Sequence, residues 1–232
     1  AAALGTPAAS VVVSTFGVFE PGLLTSVYQQ GVGTASRDDV LAARAEGASA
    51  AMEALVSADA AAAVADPLLA AIEQLDGMGR PLFSALRELP LPPSSQGRLW
   101  RAAELVREHR GDGHLAAAVA AGLDAVEVNV FTELWLGYSV GEYSGTRGWS
   151  PERLAAAVAS LEQRDWMSNG ALTPAGVRAR LQLEEDTDAT QAALVDLLGP
   201  GIDALVAGAA AISDLVMSRP SFPADPRKRA AG

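Results

Sequence analysis

Alanine dominates the chain in runs such as ASAAMEALVSADAAAAVADPLLAAIEQL (48–75), and this constrains the fold more than any single motif. Alanine loses no side-chain entropy on entering a helix and has the highest helix propensity. Half of the residues are apolar, mostly Ala, Leu and Val, and only 5% are aromatic. Such a composition builds its core from small side chains carried on helices. A length of 232 residues suffices for one large or two small domains.

Several functional classes fall away. The chain has no cysteine, which excludes disulfides, zinc-thiolate sites and cysteine nucleophiles. A formal charge of −11 opposes a broad phosphate-binding surface. The start, AAALGTPAASVVV, has no basic n-region. The most apolar stretch, IDALVAGAAAISDLVM (202–217), carries Asp203 and Asp214 and is short for a membrane span. These features read as a soluble cytoplasmic protein with no membrane partner.

Local patterns divide the chain. Two short helices are expected over 7–30, meeting at Pro21-Gly22. A helix with Ser36 as N-cap runs from Arg37 to about Val56, and another starts with Pro67 in its first turn. LPLPPSSQG (89–97) reads as a linker. Beyond it, a helix ends near His109–Gly111, a second covers 113–121, and Asp124-Ala-Val-Glu127 is a capping box opening a third. Ser150-Pro151-Glu152 opens a fourth. Trp166-Met167, a Ser-Asn-Gly turn and Ala171-Leu172 form a very short hairpin. Thr173-Pro174 then starts a helix to about Leu198. Helix, helix, helix, hairpin, helix is the order of a winged helix-turn-helix domain. The expected fold is therefore all-α: a helical N-terminal lobe (1–90), a degenerate winged-helix lobe (98–200) with a minimal β-hairpin, a packing helix (201–218) and a disordered tail (219–232).

GRPLF (79–83), LWRAAELVREHRGDGH (99–114), AGLD (121–124), RGWS (147–150), LTPAG (172–176) and EEDTD (184–188) occur in that order. Together they resemble the SalK-like family of actinobacterial helix-turn-helix proteins, two-lobed and helical, with an EHRGDGH motif and a MarR-like degenerate winged helix. The resemblance covers about 10–218, and Arg-Glu-His-Arg-Gly-Asp-Gly-His is its most specific element. It implies a fold more than an activity. The similar proteins carry a further N-terminal segment, and a histidine near position 132, where this chain has Thr132-Glu133.

The winged helix carries little of what duplex DNA requires. Its expected recognition helix, SPERLAAAVASLEQRDW, sums to −1, its middle is alanine and leucine, and the wing residues Met-Ser-Asn-Gly hold no cation. Base contacts need Arg, Lys, Asn or Gln in the first turns, so no nucleic-acid partner is expected. A basic surface assembled from Arg98, Arg101, Arg107 and Arg110 would reverse that expectation.

The only two histidines, His109 and His114, flank Asp112. One reading is local: Gly111 as C-cap, Asp112 as N-cap of the next helix, and His109 and Arg110 on the helix dipole. The other is chemical: His109 or His114 as acid/base, Asp112 orienting a ring, and Glu133 assisting from a neighbouring helix beside Asn129. Phe16, Phe19, Glu20, Tyr28, Trp100, Asn129 and Trp135 are candidate ligand contacts at an interlobe pocket, with Tyr138, Tyr143 and Trp149 as further aromatic lining. No metal site and no cofactor are expected. The leading expectation is a small-molecule-binding protein of bacterial specialised metabolism, a cofactor-independent acid/base enzyme of cyclase, isomerase or dehydratase type. A ligand-responsive winged-helix regulator and a non-catalytic ligand-binding protein stay open, as does a homodimer.

Overall fold

The computed structural model describes residues 1–219, so the expected tail lies outside the described residues from 220 on. The helices are α1 (Ala9–Phe16), α2 (Pro21–Thr34), α3 (Arg37–Glu53), α4 (Ala58–Ile72), α5 (Pro81–Arg87), α6 (Ser95–Ala120), α7 (Ala125–Trp135), α8 (Pro151–Gln163), α9 (Pro174–Ala189), α10 (Ala192–Leu198) and α11 (Ile202–Met217). Strands β1 (Met167–Ser168) and β2 (Ala171–Leu172) pair antiparallel between α8 and α9. The protein is all-α with a minimal hairpin.

One compact unit takes Ala1–Thr6, Val32–Gly113 and, among the described residues, 190–219. Ser36 caps α3, accepting from the Asp39 N–H. Ser57 caps α4, which therefore starts nine residues before the expected Pro67 and carries that proline inside it. The alanine run 60–63 and the Ser57 cap outweigh the single N–H that proline removes. The apolar stripe of α4 (Ala61, Val64, Ala65, Leu68, Ile72) is buried, and α10 and α11 pack on this helix. Phe83 of α5 is fully buried.

The expected break at His-Arg-Gly-Asp-Gly-His is absent: α6 is continuous from Ser95 to Ala120. Gly111 has no left-handed φ and so does not act as a C-cap. Each mid-helix glycine costs about 1 kcal/mol relative to alanine. Contacts around Gly113 and Asp112, described below, offset that cost. The expected single helix 174–198 is instead two, α9 and α10, separated at Thr190-Gln191.

The second unit takes Pro7–Gly31 and His114–Ala189. The capping box is present in full: Asp124 Oδ1 accepts from the N–H groups of Val126 and Glu127, and Glu127 Oε2 accepts from the Asp124 N–H. Ser150 caps α8. Asn169 (φ 50°) and Gly170 (φ 77°) turn the hairpin, the positive pair that a tight two-residue turn requires. Val126, Val130, Phe131, Leu161 and Met167 form the buried centre, with Leu154, Ala157 and Leu183 around it. A tight helix-turn-helix joins its helices by three or four residues. Here residues 136–150 lie between α7 and α8.

Candidate functional site

The histidine run makes contacts along α6. His109 is 2% exposed, its Nδ1 lies 2.7 Å from Gln191 Oε1, and its ring meets Phe83 edge-on with centroids 4.9 Å apart. Burial depresses its pKa, the Gln191 hydrogen bond opposes this, and Arg80 and Arg87 add to it. Asp112 Oδ2 accepts from the N–H groups of Leu82 (3.1 Å) and Phe83 (3.0 Å) at the start of α5. It was expected to cap its own helix or to orient an imidazole. A helix N-terminus offers unpaired N–H groups to any nearby acceptor, and here a residue of another helix supplies it. Burial raises the Asp112 pKa, against the lowering effect of those two N–H bonds. Arg80 donates to the His109 carbonyl and to the Thr190 carbonyl (2.9 Å). A side chain at Gly113 would overlap Thr190 Oγ1.

His114 is half-buried, and its Nδ1 lies 3.0 Å from Thr187 Oγ1, a hydroxyl that itself donates to the Leu183 carbonyl at 2.6 Å. His109 and His114 are five residues apart on one helix, which separates their directions by about 140° at roughly 100° per residue.

Glu133 is fully buried, and both its oxygens are occupied. Oε1 accepts from the Gly141 N–H (2.8 Å) and Oε2 from the N–H groups of Tyr143 (3.0 Å) and Ser144 (2.9 Å). The Ser144 hydroxyl reaches both oxygens, at 2.9 and 3.1 Å. The carboxylate thus anchors the long loop between α7 and α8.

That loop gathers other candidates. Asn129 Nδ2 donates to the Val18 carbonyl at 2.7 Å, and Trp149 Nε1 donates to the same oxygen at 3.0 Å. The Glu20 N–H donates to the Arg147 carbonyl at 2.9 Å, and the Arg147 guanidinium lies over the rings of Phe19 (5.0 Å) and Tyr143 (4.5 Å). The Glu20 carboxylate accepts from the Leu23 N–H at 2.5 Å, and such N–H bonds lower its pKa. Phe16 is half-buried at the end of α1. Three further candidates have other partners. Tyr28 donates to the Pro7 carbonyl, Trp100 is flanked by Arg44 and Arg101, and Trp135 is 38% exposed beneath Arg180.

A groove of about 570 Å³ runs along α8, lined by Val140, Gly141, Gly145, Trp149, Pro151, Leu154, Ala155, Val158, Ala159 and Glu162. Residues 151, 154, 155, 158, 159 and 162 follow helical spacing, so one face of α8 forms the floor. The loop held by Glu133 forms the opposite wall. Apart from Trp149, sequence reasoning did not assign this lining. Its signal was the alanine and leucine where a DNA-reading helix carries polar side chains. Two arginines belong to α8 and its C-cap. Arg164 donates to the Ala121 and Gly122 carbonyls, while Arg153 lies over Trp149 and 4.0 Å from Asp124. Among the described residues no three His, Asp or Glu side chains lie together as a metal site.

The helix-turn-helix family profile matches residues 1–223. The chain belongs to the helix-turn-helix family. Neither a curated protein nor a solved structure matches it. Among the described residues, one helical stretch of this family member, Ala192–Met217, is long and apolar enough to cross a membrane. Within it α10 and α11 are separated by the Gly199–Gly201 turn.

Proposed function

We propose that this helix-turn-helix protein is a small-molecule-binding protein whose ligand lies in the groove along α8. One observation carries the reading: the face of α8 that would enter a major groove is apolar and forms the floor of a space of about 570 Å³. That volume is in the range of small-molecule sites, and apolar walls with a few polar groups are their usual lining. Duplex DNA needs several cations facing phosphate. Here α8 exposes Glu152, Glu162, small side chains and one cation, Arg153, which lies 4.0 Å from Asp124, while Arg164 at its C-cap pairs with Glu127.

Acid–base turnover by His109, His114, Asp112 and Glu133 has weaker support. Asp112 and Glu133 accept backbone N–H groups, and each histidine has its Nδ1 against a side-chain partner. The run Arg107–His114, whose contacts hold α6 to its neighbours, supports a SalK-like kinship and with it a place in actinobacterial specialised metabolism.

The test uses a neutral apolar dye, Nile red, on the full chain. Saturable binding that is lost in Ala159→Trp, where the new ring fills the groove from an exposed helix position, is the expected result. Dye binding indifferent to Ala159→Trp overturns the reading. Duplex DNA binding with a steep salt dependence, measured by anisotropy, overturns it in favour of a DNA-reading regulator.

A further inference from the structure

We propose that the groove along α8 takes a lipophilic cation: an apolar ring system or chain carrying an amine or quaternary ammonium group. This rests on the ligand-binding reading above and names the ligand class of that same groove. The walls set the apolar part. Val140, Trp149, Leu154 and Val158 offer hydrocarbon to whatever displaces water there.

The charge follows from the two ends of α8. A helix N-terminus ordinarily attracts anions through its free N–H groups. At this one Pro151 has no N–H, and Ser150 Oγ accepts from the Arg153 N–H at 3.4 Å. The Glu152 carboxylate takes its own backbone N–H and the Ser150 hydroxyl. An incoming anion meets a carboxylate already in its place. At the other end Glu162 lines the groove in the last turn, where the helix carbonyls carry the negative end of the dipole. Glu162 is exposed and is the only charged side chain in the lining.

The remaining charges around the groove do not reverse this. On the loop wall Glu142 adds a second carboxylate, turned onto the Ser139 N–H at 3.2 Å. Arg147 is stacked between Phe19 and Tyr143. Arg164 pairs with Glu127 at 3.5 Å and lies over Trp166. Arg153 lies 6.0 Å over the Trp149 ring and 4.0 Å from Asp124, whose carboxylate offsets its charge.

The experiment compares tetraphenylphosphonium with tetraphenylborate, two ions of closely similar size and opposite charge, by equilibrium dialysis against the full chain. The phosphonium is expected to bind about three- to tenfold more tightly, the range of an exposed to partly desolvated ion pair. Glu162→Gln is expected to remove most of that preference, weakening phosphonium binding and relieving the repulsion of the borate. Glu185→Gln, on the exposed side of α9, changes the net charge equally and is expected to keep the preference. Equal binding of the two ions, tighter borate binding, or a preference that survives Glu162→Gln overturns the cation assignment. Provided Ala159→Trp still abolishes binding, the ligand groove itself stands. Failure of both ions to bind in a manner sensitive to Ala159→Trp overturns the groove reading together with this one.

Discussion

Asp112 lies in the middle of α6, yet its carboxylate caps the helix that begins at Pro81, 3.0 Å from the Phe83 N–H and 3.1 Å from that of Leu82. Removal of an N-cap side chain costs about 0.5–2 kcal/mol, and buried N–H groups left without an acceptor cost more. Asp112→Ala is therefore expected to lower the free energy of urea unfolding by about 2 kcal/mol. Asp112→Asn keeps an acceptor oxygen and should lose less than half as much. Equal losses for the two variants would show that packing, and not the cap, sets the effect.

His109 and Asp112 respond to pH in opposite senses. Burial lowers the His109 pKa below 6.5, so the unfolded chain binds the proton first as pH falls. The stability tied to the neutral ring is complete above pH 6.5 and is lost progressively below it. Burial raises the Asp112 pKa above 3.8, so its contribution is complete below pH 3.8 and declines as pH rises through the folded value. Unfolding free energy is expected to fall between pH 7 and 5.5, and His109→Gln should flatten that slope. A slope unchanged in the variant would assign it to other groups.

Glu133 holds the loop wall of the groove through four donors on Gly141, Tyr143 and Ser144. Glu133→Ala leaves these donors without their buried acceptor and is expected to cost about 2–3 kcal/mol. Residues 136–150 should become sensitive to limited proteolysis, and emission from Trp149, fixed at the end of that loop, should shift to the red. Glu133→Gln retains one acceptor oxygen and should fall between. Protease resistance equal to that of the parent chain would mean that the loop is held by other contacts.

What the sequence disclosed, and what it hid, follows from the range of the interactions. Ser36, Ser150 and the Asp124–Glu127 box act within three residues of themselves, so their patterns translate directly into helix starts. The Asn169-Gly170 turn is equally local. Asp112 and Gly113 follow the same local grammar but serve partners 29 and 77 residues away, Phe83 and Thr190. Their signature is that of a helix break, and only the distant contact reveals a continuous helix. Glu133 has the composition of a candidate acid and the surroundings of a loop anchor. The groove was hidden for a different reason. Its floor is made of alanine and leucine, which in sequence are indistinguishable from core.

Gly176 gives the sharpest packing test. A Cβ at this position on α9 would overlap the Trp166 carbonyl oxygen, a backbone atom beside the hairpin that cannot swing aside as a side-chain tip does. That carbonyl also accepts from the Thr173 N–H at 3.1 Å, and Thr173 Oγ1 in turn accepts from the Gly176 N–H at 3.0 Å. Relieving the clash therefore means moving α9 away from the hairpin and straining the Thr173–Trp166 bond. Overpacking costs about 1–3 kcal/mol, and Gly176→Ala is expected at the upper end of that range because the obstacle is backbone. Trp166 stacks on Phe131 with centroids 5.3 Å apart, so near-ultraviolet circular dichroism should report the displaced hairpin. Gly145→Ala is the control: nothing lies within 4 Å of a Cβ there and its φ is ordinary, so it should leave stability within about 1 kcal/mol. Similar losses in the two variants would remove close approach as the reason for glycine at 176.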